Sequence, residues 1–328
     1  MCHNNSIDSD EKSSVLVDKT KSGKVRPWKE KKIASVDYFE LLHILEFKKA
    51  ERVKECAVLL EYKESRETGE RKLYKVWFCK SRLCPMCNWR RAMKHGLQSK
   101  KVVSEVIRQK PTVRWLFLTL TVKNVYDGEA LNASLSDMAK GFNRMMKYKK
   151  IAKNLVGFMR ATEVTVNNKD NSYNQHMHVL LCAEPTYFKN TENYVNQKQW
   201  IKYWRKAMKL NYDPSVKVSI IKPKNEQKTD IQSAIDETAK YPVKDTDFMT
   251  DDEAKNLKRL ADLEEGLYRK RLISYGGLLK EIHKKLNLDD AEDGDLIHTG
   301  DDEKADEDGY SIIAMWNWER KNYFLKKP

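Results

Sequence analysis

No run of eighteen apolar residues occurs in the 328-residue chain, so the sequence offers no membrane-spanning helix. Met1 to Arg26 is polar and charged and lacks the apolar core of a secretory signal. Neither a basic amphipathic anchor nor a lipidation motif is present. The expected setting is the cytoplasm, with no membrane partner. Cysteine is scarce, at six residues. In a reducing compartment those few point to metal or redox chemistry rather than a disulfide framework. No internal repeat is detectable.

What the chain does have is positive charge and enough apolar residues for a core. Lys and Arg total 62 against 48 Asp and Glu, a formal charge of +14, with 40% hydrophobic residues. The excess favours a polyanionic partner, because each neutralised phosphate releases counterions. The charge is unevenly placed. Residues 71–110 hold twelve Lys or Arg and one acid, Glu105, whereas residues 289–308 hold eleven acids and one Lys. Such an acidic block reads as a solvated, flexible segment that DNA would repel. Four regions follow: a disordered 1–27, a basic cysteine-bearing 28–98, a strand-and-helix 99–250, and a C-terminal 251–328 containing the acidic segment 289–308.

In the third region, Trp115–Val122 sets Leu116, Leu118 and Leu120 on one face and Phe117, Thr119 and Thr121 on the other. Phe158–Val166, Gln175–Cys182 and Ser215–Ile221 read as further strands. Helical patterns at Leu131–Tyr148, Gln197–Leu210 and Asp230–Tyr241 lie among them. The expected class is α+β, a sheet covered on one face by helices, with an N-terminal zinc-binding subdomain.

His176 and His178 stand at i and i+2 of the Gln175–Cys182 strand, so they share a face while Met177, Val179 and Leu181 take the other. Two imidazoles on a rigid strand form half a divalent-metal site, although a pair that only hydrogen-bonds at a sheet surface has the same pattern. Glu163, on the polar face of the neighbouring strand, is the candidate third ligand. Such a set with open positions suits Mn²⁺ or Mg²⁺ holding a phosphate. Glu237 and Tyr241, four apart, share a helical face. Tyrosine can attack a phosphodiester to give a covalent phosphotyrosine, and a carboxylate beside it can activate water. Lys244 is placed to steady the phenolate or the phosphate. Pro242 ends or kinks the helix near Tyr241. Taken alone, the pair also fits an ordinary helix C-terminus.

The cysteine spacing is sharper. Cys84 and Cys87 form a two-residue knuckle, Cys79 adds a third sulfur, and Cys56 is the best fourth by position. Structural Zn²⁺ is the leading reading, ahead of a redox pair or free thiols, and the metal would organise a region with little apolar core of its own. Cys182 reads as core. Lys80, Arg82, Arg90, Arg91 and Lys94, interleaved with Trp77 and Trp89, read as a DNA-backbone platform with base stacking. A solvated basic face is the alternative.

In chain order stand Phe78–Cys87, Phe117-Leu118-Thr119-Leu120-Thr121, Glu163-Val164-Thr165, and His176-Met177-His178-Val179-Leu180-Leu181. After them come Glu237, Lys240, Tyr241, Lys244 and Asp245, spaced E-x-x-K-Y-x-x-K-D, and Tyr275–Glu281. Together these resemble the rolling-circle replication initiators (Rep proteins) of small Gram-positive plasmids, in the glutamate–tyrosine branch of the HUH endonuclease superfamily. The resemblance spans roughly residues 50–325. It implies an antiparallel sheet with both histidines on a central strand, and a metal held by His176 and His178. It also implies nicking by Tyr241 at a hairpin extruded from the plasmid's double-strand origin. The protein would stay on the 5′ phosphate while the 3′ hydroxyl primes synthesis, and Glu237 would assist termination. A host helicase and DNA polymerase are implied as partners, and a homo-oligomer is left open. The alternatives are a relaxase or transposase of the same superfamily, or a zinc-containing DNA-binding regulator without catalysis.

Overall fold

Residues 14–20, 22–221, 230–238, 243–244, 247–290, 292–299 and 307–326 are described by the computed structural model of the chain. The order opens with helices α1 (Trp28–Ile44) and α2 (Ala50–Lys54), the hairpin β1 (Leu59–Glu64) and β2 (Arg71–Val76), and the long helix α3 (Pro85–Gln109). Strand β3 (Arg114–Thr121), helices α4 (Gly128–Met146) and α5 (Lys149–Ala152), and strands β4 (Leu155–Val166) and β5 (Tyr173–Ala183) follow. Next come α6 (Gln197–Met208), β6 (Val216–Ile221), α7 (Asp230–Thr238), α8 (Glu253–Gly266), β7 (Ile273–Gly277) and α9 (Leu278–Lys285). A hairpin of β8 (Tyr310–Asn317) and β9 (Asn322–Lys326) comes last. Local chemistry sets several starts. Cys84 caps α3 with Pro85 at its first turn, and Asp127 caps α4 by accepting from the Ala130 N–H at 2.8 Å. Asn196 and Gln199 form a capping box on α6.

Among the described residues the strands make two antiparallel sheets, ordered β6-β3-β5-β4-β7 and β2-β1-β8-β9. In the larger sheet, Leu116, Leu118, Leu120, Met177, Val179 and Leu181 pack beneath α4 and α6 against Phe142, Trp200 and Trp204. The opposite face, with Trp115, Met159, Leu180 and Cys182, packs against α3, α7 and α9 through Val103, Ile235 and Leu279. Helices therefore cover both faces, where the sequence pointed to one. The reason lies in β3 itself, whose WLFL stretch is apolar on both faces, as in a strand buried from both sides.

Residues 251–328 do not stand apart. β7 pairs with β4 in the larger sheet, and β8 pairs with β1 in the smaller (Leu60↔Ala314, Tyr62↔Ile312). Gly277 makes the first closure possible: its φ is +56°, and a Cβ there would stand 2.4 Å from the Val156 carbonyl oxygen. The N-terminal expectation is also corrected in part. Leu16 N–H donates to Tyr323 O at 2.9 Å, Leu325 N–H donates to Ser14 O at 2.8 Å, and Trp28 Nε1–H donates to Asp18 at 2.7 Å. Thus residues 14–16 pair with β9 and Asp18 is tied to Trp28 and Tyr62, while residues 1–13 and 21 lie outside the described residues.

The acidic segment gives the largest correction. Residues 289–290 and 292–299 lie along α3 as a strap; 291 and 300–306 lie outside the described residues. Arg91 donates to the carbonyls of Glu292 (2.8 Å), Ser81 and Lys80, and Arg90 to those of Leu296 (2.9 Å) and Ile297. Lys94 pairs with Asp289, and Arg271 with Asp290 at 2.6 Å. Glu292, itself buried, accepts from the Leu272 and Ile273 N–H groups at 2.7 and 2.9 Å and pairs with Arg82 at 3.4 Å. The like charges that should keep this segment in water are met by a basic helix some 200 residues earlier in the chain.

Candidate metal centres

The larger sheet builds the first centre. Cross-strand register puts Glu163 of β4 opposite His176 of β5, and Thr119 of β3 opposite His178. Directly paired residues share a face, so all four point to the α3–α7–α9 side. The Nε2 atoms of His176 and His178 stand 3.2 and 3.1 Å from one carboxylate oxygen of Glu163. Donors about 2.1 Å from one octahedral ion lie about 3.0 Å apart at adjacent positions, so the set fits a single hard divalent cation. Burial opposes the charge on Glu163. Hydrogen bonds and charges from His176 and His178 nevertheless hold its carboxyl well below the usual carboxylate range. The carboxylate is ready as a ligand.

Two residues that sequence reasoning left unassigned hold His178. Phe117 stacks on its ring with centroids 5.5 Å apart, and Thr119 Oγ1 lies 3.4 Å from Nδ1. That leaves Nε2 for a metal and fixes the ring plane. Their position in β3, on the His178 face, was the signal that could have found them. On α7, Glu237 is half-buried with Oε1 4.0 Å from His178 Nε2. Lys244 is exposed, its N–H donating to Asp247 at 3.2 Å. Tyr241, with Lys240 and Asp245, lies outside the described residues.

The second centre brings together Cys56, Cys79, Cys84 and Cys87, as their spacing led one to expect. Sulfur–sulfur separations are 3.6 Å for Cys56–Cys87 and Cys79–Cys87, and 3.8 Å for Cys56–Cys84. Four thiolates bound tetrahedrally at ~2.3 Å have edges of about 3.8 Å, so the cluster fits Zn²⁺. Lys80, at φ +54°, turns the knuckle so that the Ser81 N–H meets Cys79 Sγ at 3.4 Å. Cys56 Sγ accepts from the Cys79 N–H at 3.4 Å, and Ser35 lies 3.4 Å from Cys84 Sγ. Beneath the cluster is the fully buried Lys32, whose ammonium donates to the carbonyls of Lys54 and Cys56 at 2.8 and 2.7 Å. Burial lowers its pKa while the neighbouring cysteines oppose that shift. A cation here offsets the negative charge of a four-thiolate site. The region does not lack a core: the four cysteines belong to one apolar cluster with Trp28, Tyr38, Tyr62, Trp316 and Tyr323.

Of the expected DNA platform, Lys80 is exposed and Arg82 half-buried, both bonded to the strap. Arg90, Arg91 and Lys94 are buried beneath it. Trp89 is buried edge-on against Trp28 at 4.8 Å, whereas Trp77 is half exposed. Cys182 sits in the core of the larger sheet.

The fold and its two donor clusters define a two-sheet α+β protein with two groups of side chains that could each hold a metal ion. Comparison with known proteins gives the family. The model of a family described as "Replication protein" matches residues 70–324. A "Replication protein" of Staphylococcus aureus is 86% identical over 235 residues, covering 72% of this chain and all of the relative. A "Protein rep" of Lactiplantibacillus plantarum is 48% identical over 318 residues, covering 95% and 99% of the two chains. Another from Streptococcus pneumoniae serotype 2 is 42% identical over 315 residues, covering 95% and 96%. The chain belongs to this replication-protein family, and the resemblance read from its motifs is borne out. No solved structure matches it. Among the described residues no helix is long and apolar enough to cross a membrane.

Proposed function

We propose that this chain starts rolling-circle replication of a plasmid by binding its double-strand origin and nicking one strand through Tyr241. The Tyr241 oxygen bonds to the scissile phosphorus and the bond to O3′ breaks. The phenolic proton ends on the leaving oxygen, directly or through solvent. The released 3′ hydroxyl primes synthesis by the host polymerase behind a helicase, and the protein keeps the 5′ phosphate. Glu163, His176 and His178 would hold Mn²⁺ or Mg²⁺, which supplies positive charge to the phosphate oxygens. Lys244 steadies the phenolate or phosphate. Glu237 activates water so that the last transfer ends by hydrolysis. Cys56, Cys79, Cys84 and Cys87 would hold a structural Zn²⁺, and Lys80 and Arg82 lie nearest the surface for DNA contact.

The observation that supports this reading best is Glu237, whose carboxylate lies 4.0 Å from His178 and four residues before Tyr241. The test is Tyr241→Phe on supercoiled origin plasmid with Mn²⁺. The expected outcome is loss of nicked circles and of the covalent protein–DNA adduct, with origin binding retained. Nicking by the variant would exclude Tyr241 as nucleophile. Origin binding without cleavage by the unaltered protein would favour a non-catalytic regulator.

A further inference from the structure

The face of the larger sheet away from His176 and His178 carries a second concentration of positive charge. From Lys140 to Asn154 the chain has six Lys or Arg and no acid, and from Asn196 to Tyr212 five and no acid. These stretches are the end of α4 with α5, and α6, and they meet in space. Arg144 Nε–H donates to Ala207 O at 2.8 Å, and Lys150 Nζ donates to Thr191 O at 2.9 Å. Between them lies a groove of about 440 Å³ lined by Tyr148, Lys149, Lys153, Tyr203, Lys206 and one acid, Glu192. Lys150 forms part of its wall. The tyrosine rings stand 5.6 Å apart, and the Lys206 ammonium lies 5.6 Å from the Tyr148 ring centre.

A helix side that is merely solvated mixes its charges, as α8 does with four acids and three bases in fourteen residues. The groove does not. Its exposed lysines project from neighbouring helices joined through Arg144 and Ala207, and its tyrosines are half-buried with a cation over one ring. That arrangement suits phosphates better than stacked bases. We propose that this groove is a second DNA contact, which grips the backbone of duplex DNA away from the nicking site. The proposal rests on the reading that the chain acts on origin DNA. Leu155, at the groove end of β4, lies eight residues from Glu163, about 26 Å along an extended strand. The two sites are therefore separate, and the groove adds affinity without touching the cut.

The experiment uses the full-length protein and a labelled random-sequence duplex, with anisotropy followed across a salt series. The variant is K149A/K153A/K206A; Lys150 is left because its contacts to Thr191 and Gln199 serve the fold. The dissociation constant should rise about tenfold or more, and the salt slope should fall by about 3, roughly one for each phosphate no longer neutralised. K149R/K153R/K206R should restore both. Unchanged affinity, or weaker binding with an unchanged slope, overturns the groove as a phosphate contact while leaving the functional reading intact. Loss confined to a single-stranded probe would assign the groove to a displaced strand and overturn the duplex contact. Failure of the unaltered protein to bind any DNA would remove the functional reading, and this inference with it.

Discussion

Four buried sulfurs beside α1, and two nitrogens and an oxygen on the inner strands β5 and β4 of the larger sheet, give one chain two donor clusters of opposite character. The four cysteines are at most 2% exposed and form a complete tetrahedral set. The side chains of His176, His178 and Glu163 are 10–14% exposed and supply three donors, fewer than a hard divalent ion takes. Soft, closed and buried describes a site that holds a fold. Hard, incomplete and reachable describes one that acts on a ligand.

The largest expected effect tests the closed site. Cys84→Ser should abolish zinc retention and cost on the order of 5–10 kcal/mol, against a typical total stability of about 5–15 kcal/mol. Metal analysis and thermal unfolding measure both. Full zinc content with an unchanged melting temperature would break the contrast between the clusters. At the open site, Glu163→Gln should reverse the pattern: nicking falls roughly 10²–10³-fold, while zinc content and unfolding stay close to the parent's. A variant that unfolds would make Glu163 a structural residue.

The smallest effect sharpens the contrast with a third histidine. His95 of α3 is fully buried, and neither ring nitrogen has a hydrogen-bond partner among the described residues. Burial, then the nearby His283, pushes its pKa from 6.5 down to about 3. The folded protein keeps His95 neutral where the unfolded chain protonates it. Stability is therefore lost as pH falls from 6.5 toward 3, by about 1.4 kcal/mol per unit from this group. Denaturant unfolding of His95→Leu across that range should show a shallower slope. An unchanged slope would mean that His95 is hydrated or paired.

Much of this was legible because it depends on short spacing. Strand alternation fixed the shared face of His176 and His178, and Glu163 followed from the same rule on β4. The knuckle at Cys84 and Cys87 needs only a turn. What escaped depends on partners distant in the chain. Nothing within 289–298 announces that Arg90, Arg91 and Lys94 will neutralise it, so a composition rule for solvated acids misplaced the segment. Lys32 is one of many lysines until folding puts it under the sulfurs. The helices on the second face were foreshadowed by Trp115 and Phe117, bulky apolar residues on the face of β3 opposite Leu116 and Leu118.

The pairing of β1 with β8 bears on how the protein is made. At ribosomal rates of roughly 5–20 residues per second, the roughly 240 residues from Cys84 to Phe324 take about 10–50 s to synthesise. During that interval the β1–β2 hairpin lacks β8, its partner in the smaller sheet. Synthesis of β8 and β9 is therefore what completes the smaller sheet, long after the cysteines have been made.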